Sequence, residues 1–272
     1  MRLPKFFDRG SLRRIVIGIG VVFVLFGLFY AWQPQRFDLV EHAPEKPLAR
    51  IPIERTGLFE TGKRIVLVTA HPDDEAFYTG GTLFKLKDAG AKVTLIVLTD
   101  GDKGYYPFYD SESLAKQRQV ETREAATRVG IQEVVFFSYP DGRLSYNEDV
   151  VARLAKELRR LEPEIVLGFD PYYWPRVSHR DHRISGEVTR DALQLIGFQG
   201  WALYFSTVAP TSAVDVDRTW TQAQDLLAIH KSQFYGEKLK MIQGFVTQHA
   251  LDTGEKFDLG FAEGFRAVKH PK

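Results

Sequence analysis

From Lys63 onward, apolar runs of strand length alternate with stretches whose apolar positions recur at helical spacing. Ile65–Ala70 is apolar and largely β-branched, as in a strand buried on both faces of a parallel sheet. A helix follows from Glu75 to Ala89 and stops at Gly90. Lys92–Leu98 reads as a second strand, a helix capped by Ser111 runs to Val129, and Glu133–Ser138 is a third strand. Asn147–Leu161 is helical, Ile165–Phe169 is a fourth strand, Ile184–Ile196 is helical, Ala202–Ser206 is a short strand and Thr221–Ser232 is helical again. This alternation predicts an α/β fold, Rossmann-like, with a mostly parallel sheet and helices on both faces.

The first sixty residues follow other rules. Residues 1–14 are a basic segment, with Arg2, Lys5, Arg9, Arg13 and Arg14 against Asp8 alone. Residues 15–32 carry no charge over 18 positions and end in Tyr30 and Trp32. As a helix this run spans about 27 Å, close to the hydrocarbon thickness of a bilayer. It is expected to be a single transmembrane anchor, the alternative being a cleaved signal peptide, with the basic N-terminus cytoplasmic and the domain from residue 63 to 272 extracytoplasmic. Residues 33–62 contain Pro34, Pro44, Pro47 and Pro52 and read as a linker or a strap over the domain surface. The net charge of +1 hides an acidic body, about −3 once the first 14 residues are set aside, which argues against nucleic acid as a partner. There is no cysteine, so any metal must be held by nitrogen and oxygen.

The chemistry lies where strands end. The first runs into Ala70-His71-Pro72-Asp73-Asp74-Glu75. Asp73 or Asp74 is suited to cap the helix, but one cap accounts for neither the histidine nor the second carboxylate. After the second strand, Thr99-Asp100-Gly101-Asp102-Lys103-Gly104 permits a turn with backbone N–H groups facing a ligand. After the fourth, His179-Arg180-Asp181-His182 opens a helix, the two histidines three apart on one face. In open α/β sheets these loops gather at the carboxyl edge. His71, Asp74 and His182 then supply two imidazoles and one carboxylate with a position left open, a catalytic type of metal site. Asp73 and His179 remain as a free carboxylate and a spare imidazole. Zn2+ suits this donor set, and Fe2+ accepts it too. Tyr172, Tyr173 and Trp174 are either loop packing or a wall on which a sugar stacks.

With Ala70–Glu75 intact and His179-Arg180-Asp181-His182 in place, the sequence resembles the PIG-L/LmbE-like family of zinc-dependent N-acetyl-sugar deacetylases from about Lys63 to Phe265. Arg118-x-x-Glu121, Tyr139-Pro140-Asp141-Gly142, His230-Lys231-Ser232-Gln233 and Ala262-Glu263-Gly264-Phe265 are weaker matches. The resemblance implies that His71, Asp74 and His182 ligate the metal and that Asp73 is the general base toward metal-activated water. It implies His179 as acid or electrostatic partner tuned by Asp181, and Arg118 and Asp141 as substrate-binding residues. A protonated His179 beside neutral ligand histidines would give a bell-shaped pH–rate profile. The expected substrate is an N-acetylglucosamine-type sugar on a glycolipid, envelope glycan or glycoconjugate. The alternatives are a metal-dependent amide or ester hydrolase on a non-sugar substrate, and a glycan-binding protein without catalysis.

Overall fold

The computed structural model describes residues 49–104, 110–172 and 179–271. Strands β1 (Arg64–Thr69), β2 (Lys92–Thr99), β3 (Glu133–Tyr139), β4 (Ile165–Phe169) and β5 (Trp201–Phe205) pair in parallel, and β6 (Ser212–Asp215) and β7 (Ala262–Lys269) run antiparallel at one end. The sheet order is β3-β2-β1-β4-β5-β7-β6. The chain leaves β1 toward β2 on one side and returns with β4 on the other, so the crevice between the carboxyl ends of β1 and β4 is the topological switch point.

Helices α1 (Asp74–Asp88), α2 (Ser111–Arg128), α3 (Glu148–Leu161), α4 (Arg180–Leu195), α5 (Trp220–Leu227) and α6 (Gly236–Phe257) cover both faces. Successive side chains of a strand point to opposite faces. Ile65 and Leu67 therefore join α1, α2, α5 and α6 in one core, while Val66 and Val68 join α3 and α4 in the other. The predicted strands and helices are all present with ends shifted by a few residues; α4 begins at Arg180, earlier than expected, and α5 ends at Leu227. The pattern missed β6, the 22-residue α6 and β7. Helix α6 lies on the surface with few buried positions, so its apolar periodicity is weak. Ser111 is not the cap of α2: the Asp110 carboxylate accepts from Ser113 N at 2.8 Å.

Of the expected linker, residues 49–62 are described, and they form a strap. Ile51 N donates to Thr211 O, and Ile53 and Leu58 are buried in the core. The expected transmembrane run, residues 15–32, lies outside the described residues; among these, no helix is long and apolar enough to cross a membrane.

Close approach of α4 to the end of β4 depends on Gly186. A Cβ there would stand 2.8 Å from Phe169 O and 2.9 Å from Pro171 N, both backbone atoms that cannot swing aside. Gly186→Ala should therefore destabilise the fold by about 1–3 kcal/mol through overpacking. That exceeds the gain of up to about 1 kcal/mol that alanine brings to a helix interior. Urea unfolding measures it, and an unchanged or raised midpoint would show that the contact is not tight.

Candidate active site

Strand β1 delivers His71 to the switch point, and Pro72 ends the strand immediately after it. Asp74, the first residue of α1, does not cap the helix in the usual sense. Its Oδ2 reaches back to accept from Ala70 N (3.0 Å) and His71 N (2.7 Å). Its Oδ1 is left facing His182 Nε2 at 3.1 Å. Asp73 occupies the cap position and makes no cap hydrogen bond either. The expectation that one of the two acids caps α1 is thus corrected: one is turned to the backbone of β1 and the other to Arg118.

His182 comes from the first turn of α4, and its ring stacks on Phe169 with centroids 4.1 Å apart and planes within 12°. This fixes the imidazole so that Nε2 lies 3.0 Å from His71 Nδ1. His71 Nδ1, His182 Nε2 and a carboxylate oxygen of Asp74 converge within 4.8 Å of one another. The other edge of His71 faces acids, with Nε2 3.2 Å from Asp141 Oδ1 and 3.5 Å from Asp181 Oδ2. An imidazole nitrogen turned to the cluster while its partner faces carboxylates is the arrangement that orients metal-bound histidines.

Charge balance points the same way. Burial disfavours a proton on His71, but Asp141, Asp181 and Asp74 outweigh it and hold the imidazole well above its ordinary value. Burial favours neutral Asp74, yet His182 and His71 hold that carboxyl well below the usual range. Asp141 is likewise held low against burial, by His71, Arg118 and His179. The pocket therefore needs positive charge at its centre. Asp181 Oδ1 is buried without a hydrogen-bond partner, a further sign of anionic surplus. Two imidazole nitrogens and a carboxylate fit a divalent metal of the zinc type. His71, Asp141 and His179 also converge within 4.8 Å. There Arg118 already neutralises the carboxylate, so the Asp74 set suits a cation better.

Around this centre stand the other expected residues. Arg118, 3% exposed, donates to Gly101 O at 3.0 Å and pairs with Asp73 Oδ2 at 3.0 Å and Asp141 Oδ2 at 3.5 Å. Gly101 is required here twice over: its φ is +70°, and a Cβ would lie 2.6 Å from the guanidinium. The loop expected to offer backbone N–H groups to a ligand instead offers a carbonyl to Arg118. In it, Asp102 accepts from Asp141 N at 2.9 Å.

His179 precedes α4, its ring edge-on to His71 with centroids 4.6 Å apart. Its Nδ1 accepts from Asp181 N at 3.2 Å, so a neutral ring carries its proton on Nε2. Burial, then the charge of His71, hold His179 below its ordinary value. Both favour the uncharged ring over the imidazolium expected, and a bound cation would act in the same direction. The carboxylate of Asp181 accepts from Gly142 N at 2.6 Å and faces His71, while its charge also acts on His179, raising it against burial.

Three supports had no role assigned from sequence. Glu75 and His230, both fully buried, pair at 2.8 Å beneath the start of α1. Glu121 on α2 accepts from Ser232 N and Oγ at 3.0 and 2.6 Å. Arg266 holds Asp170 through two 2.8 Å bonds at the root of the segment that leads to His179. The segments of His230 and Arg266 stood out in sequence only as weak motif matches, and their partners are more than 90 residues away.

Residues 66–193, which hold both histidine motifs, match the family described as PIG-L: GlcNAc-PI de-N-acetylase. The chain is 26% identical over 251 residues to a diacetylchitobiose deacetylase of Thermococcus kodakarensis, covering 86% of this chain and 94% of that one. It is 29% identical over 170 residues to a 1D-myo-inositol 2-acetamido-2-deoxy-alpha-D-glucopyranoside deacetylase of Kineococcus radiotolerans, covering 51% of this chain and only 46% of that one. Among solved structures, the N,N'-diacetylchitobiose deacetylase of Pyrococcus horikoshii superposes with a TM-score of 0.74 at 25% identity, covering 88% of this chain and 92% of that one. Residues 66–193 thus form a PIG-L domain with both motifs in place, and the chain as a whole is similar in sequence and fold to these deacetylases.

Proposed function

We propose that this protein is a metal-dependent hydrolase that removes the N-acetyl group from an N-acetylglucosamine-type sugar. The reading rests on the convergence of His71 Nδ1, His182 Nε2 and Asp74 Oδ1 beside a carboxylate, Asp73, that is turned instead to Arg118. The names of the relatives, deacetylases of N-acetylated sugars, support the substrate class. Zn2+ is the cation this donor set suits best, with Fe2+ as the other candidate. Bound by His71, Asp74 and His182, such a cation supplies Lewis acidity and makes water a competent nucleophile near neutral pH.

The chain's own groups do the rest. Asp73 is positioned through one oxygen by Arg118 and takes a proton from the attacking water through the other. His179 donates its Nε2–H to the carbonyl oxygen as negative charge develops there. The protonated Asp73 then returns its proton to the departing nitrogen, the C–N bond breaks, and acetate and a free amine remain. Asp141, held between His71 and Arg118, keeps both in register and presents its remaining capacity toward a sugar hydroxyl.

The proposal extends to location. The basic segment 1–14 and the uncharged run 15–32 support a single-pass anchor with its domain extracytoplasmic, acting on a lipid-linked or envelope glycan.

Asp73→Ala should retain near-stoichiometric metal and lose acetate release by about 10²–10⁴-fold. Metal quantification beside an acetate assay on N-acetylglucosamine glycosides tests this; an active Asp73→Ala protein would remove Asp73 from its role. Because His179 is held below its ordinary value, kcat/KM should show no falling limb through neutral pH that belongs to it. His179→Gln keeps a donor that cannot titrate. A wild-type limb near neutrality that vanishes in this variant would mean that the imidazolium is the active form. For location, the full-length chain should sediment with membranes and resist carbonate extraction, and recovery from the soluble fraction would overturn the anchor.

A further inference from the structure

A cleft of about 510 Å³ opens beside the active site, between α1, α5 and α6. None of the metal-type residues lines it, yet it shares walls with them. Phe77 and Tyr78 border the cleft and follow Asp74 by one turn of α1, a rise of about 5–6 Å. The Tyr78 ring lies edge-on to His182 with centroids 5.8 Å apart and stacks on Phe205 at 5.4 Å. Thr207, also in the wall, hydrogen-bonds Asp170, the neighbour of the Phe169 that stacks on His182.

The remaining walls are apolar, with Trp220 on α5 and Ile242, Phe245, Val246 and Ala250 on α6. The polar residues of the cleft are Tyr78, Ser206, Thr207, His249 and Glu263, and two of these, Thr207 and Glu263, are already engaged. The Glu263 carboxylate accepts from Gly81 N and Thr82 N, both at 2.8 Å, where α1 is kinked at Thr79. Burial, then Lys256, hold His249 below its ordinary value, which favours the uncharged imidazole. Trp220 is stacked on Phe261 with planes within 8°. A second sugar ring would bury hydroxyls here with few partners, which is costly. A hydrocarbon needs none.

One observation at the mouth and one at the far end of α6 bear on where that hydrocarbon comes from. Met241 and Phe245, four residues apart on α6, are 64% and 56% exposed, leaving an apolar ridge at the entrance. The strap that begins the described domain is fastened to the same helix: the Arg50 guanidinium donates to Lys256 O. Residues 33–48, at most about 55 Å of extended chain, therefore connect α6 to the uncharged run 15–32.

We infer that this cleft is a subsite for the hydrocarbon chain of an amphipathic substrate, whose N-acetylated sugar head lies at the metal-type centre. The inference rests on the deacetylase reading for the identity of the head, and on the cleft alone for the chain. It makes the apolar ridge of α6 the side from which a lipid-linked sugar enters.

The test compares methyl and n-heptyl glycosides of N-acetylglucosamine as substrates of the full chain in detergent well below micelle formation. Each methylene removed from water favours binding several-fold, so the heptyl compound should gain roughly thirty-fold or more in kcat/KM. Ala250→Phe, which fills the cleft, and Phe245→Ala, which strips its wall, should each collapse the heptyl-to-methyl ratio toward one. Binding of n-heptyl β-D-glucoside, which has no acetamide, is followed separately by calorimetry, with methyl glucoside as the control. Heptyl glucoside binding that is lost in Ala250→Phe supports the subsite even if no compound is deacetylated, an outcome that would overturn only the proposed reaction. Deacetylation of both glycosides with a ratio near one, or a high ratio that survives both variants, would overturn the subsite.

Discussion

Burying three carboxylates around one imidazole is the constraint on which this architecture turns. Asp74, Asp141 and Asp181 all face His71, and none is exposed enough for water to solvate its charge. Such a group is untenable without compensating positive charge, since an uncompensated buried charge costs several kcal/mol. The protein supplies part of it through Arg118 and part through backbone donors: Ala70 N and His71 N on Asp74, and Gly142 N on Asp181. The remainder converges on the space between His71, Asp74 and His182, where a divalent cation would satisfy the donors and the charge together. The second layer exists to hold the first rigid. Glu75–His230 fixes the start of α1, Glu121–Ser232 fixes α2 and with it Arg118, and Asp170–Arg266 fixes the end of β4.

The sheet determines where this expensive cluster can form. Only at the switch point do two neighbouring strands, β1 and β4, release their chains in different directions, leaving a crevice not filled by a connection. His71 enters from β1, and Phe169 at the end of β4 provides the flat surface against which His182 lies. Gly186 lets α4 settle directly on the β4 backbone, so that surface and imidazole meet. A fold with the same helices but a strand order lacking this crevice would carry the two motifs without bringing them together.

Much of this was legible in the sequence because it is written locally. A β-branched run ending in His-Pro-Asp-Asp-Glu, and two histidines three apart at a helix start, announce strand ends and donors by residue type and spacing alone. The side chains' actual partners were not legible. Asp74 and Asp73 both looked like helix caps, and neither acts as one, because long-range partners compete better than the helix's own N–H groups. Gly101 looked like a backbone donor turn, yet its carbonyl and its missing Cβ are what Arg118 uses. The two antiparallel strands and α6 escaped notice for a different reason. Helix α6 is a surface helix that buries only four residues, so its periodicity carries little signal. Strand β6 has four residues, too short for an alternating pattern to stand out.

That weak periodicity of α6 has a physical meaning of its own. A surface helix usually hides its apolar residues and exposes its polar ones, and a large exposed apolar pair is the informative exception. Here Met241 is exposed outside the cleft, while Phe245, itself more than half exposed, shares the cleft wall with Ile242, Val246 and Ala250, so the helix presents apolar groups on both sides of its rim. An apolar ligand passing over that rim accounts for both sides at once.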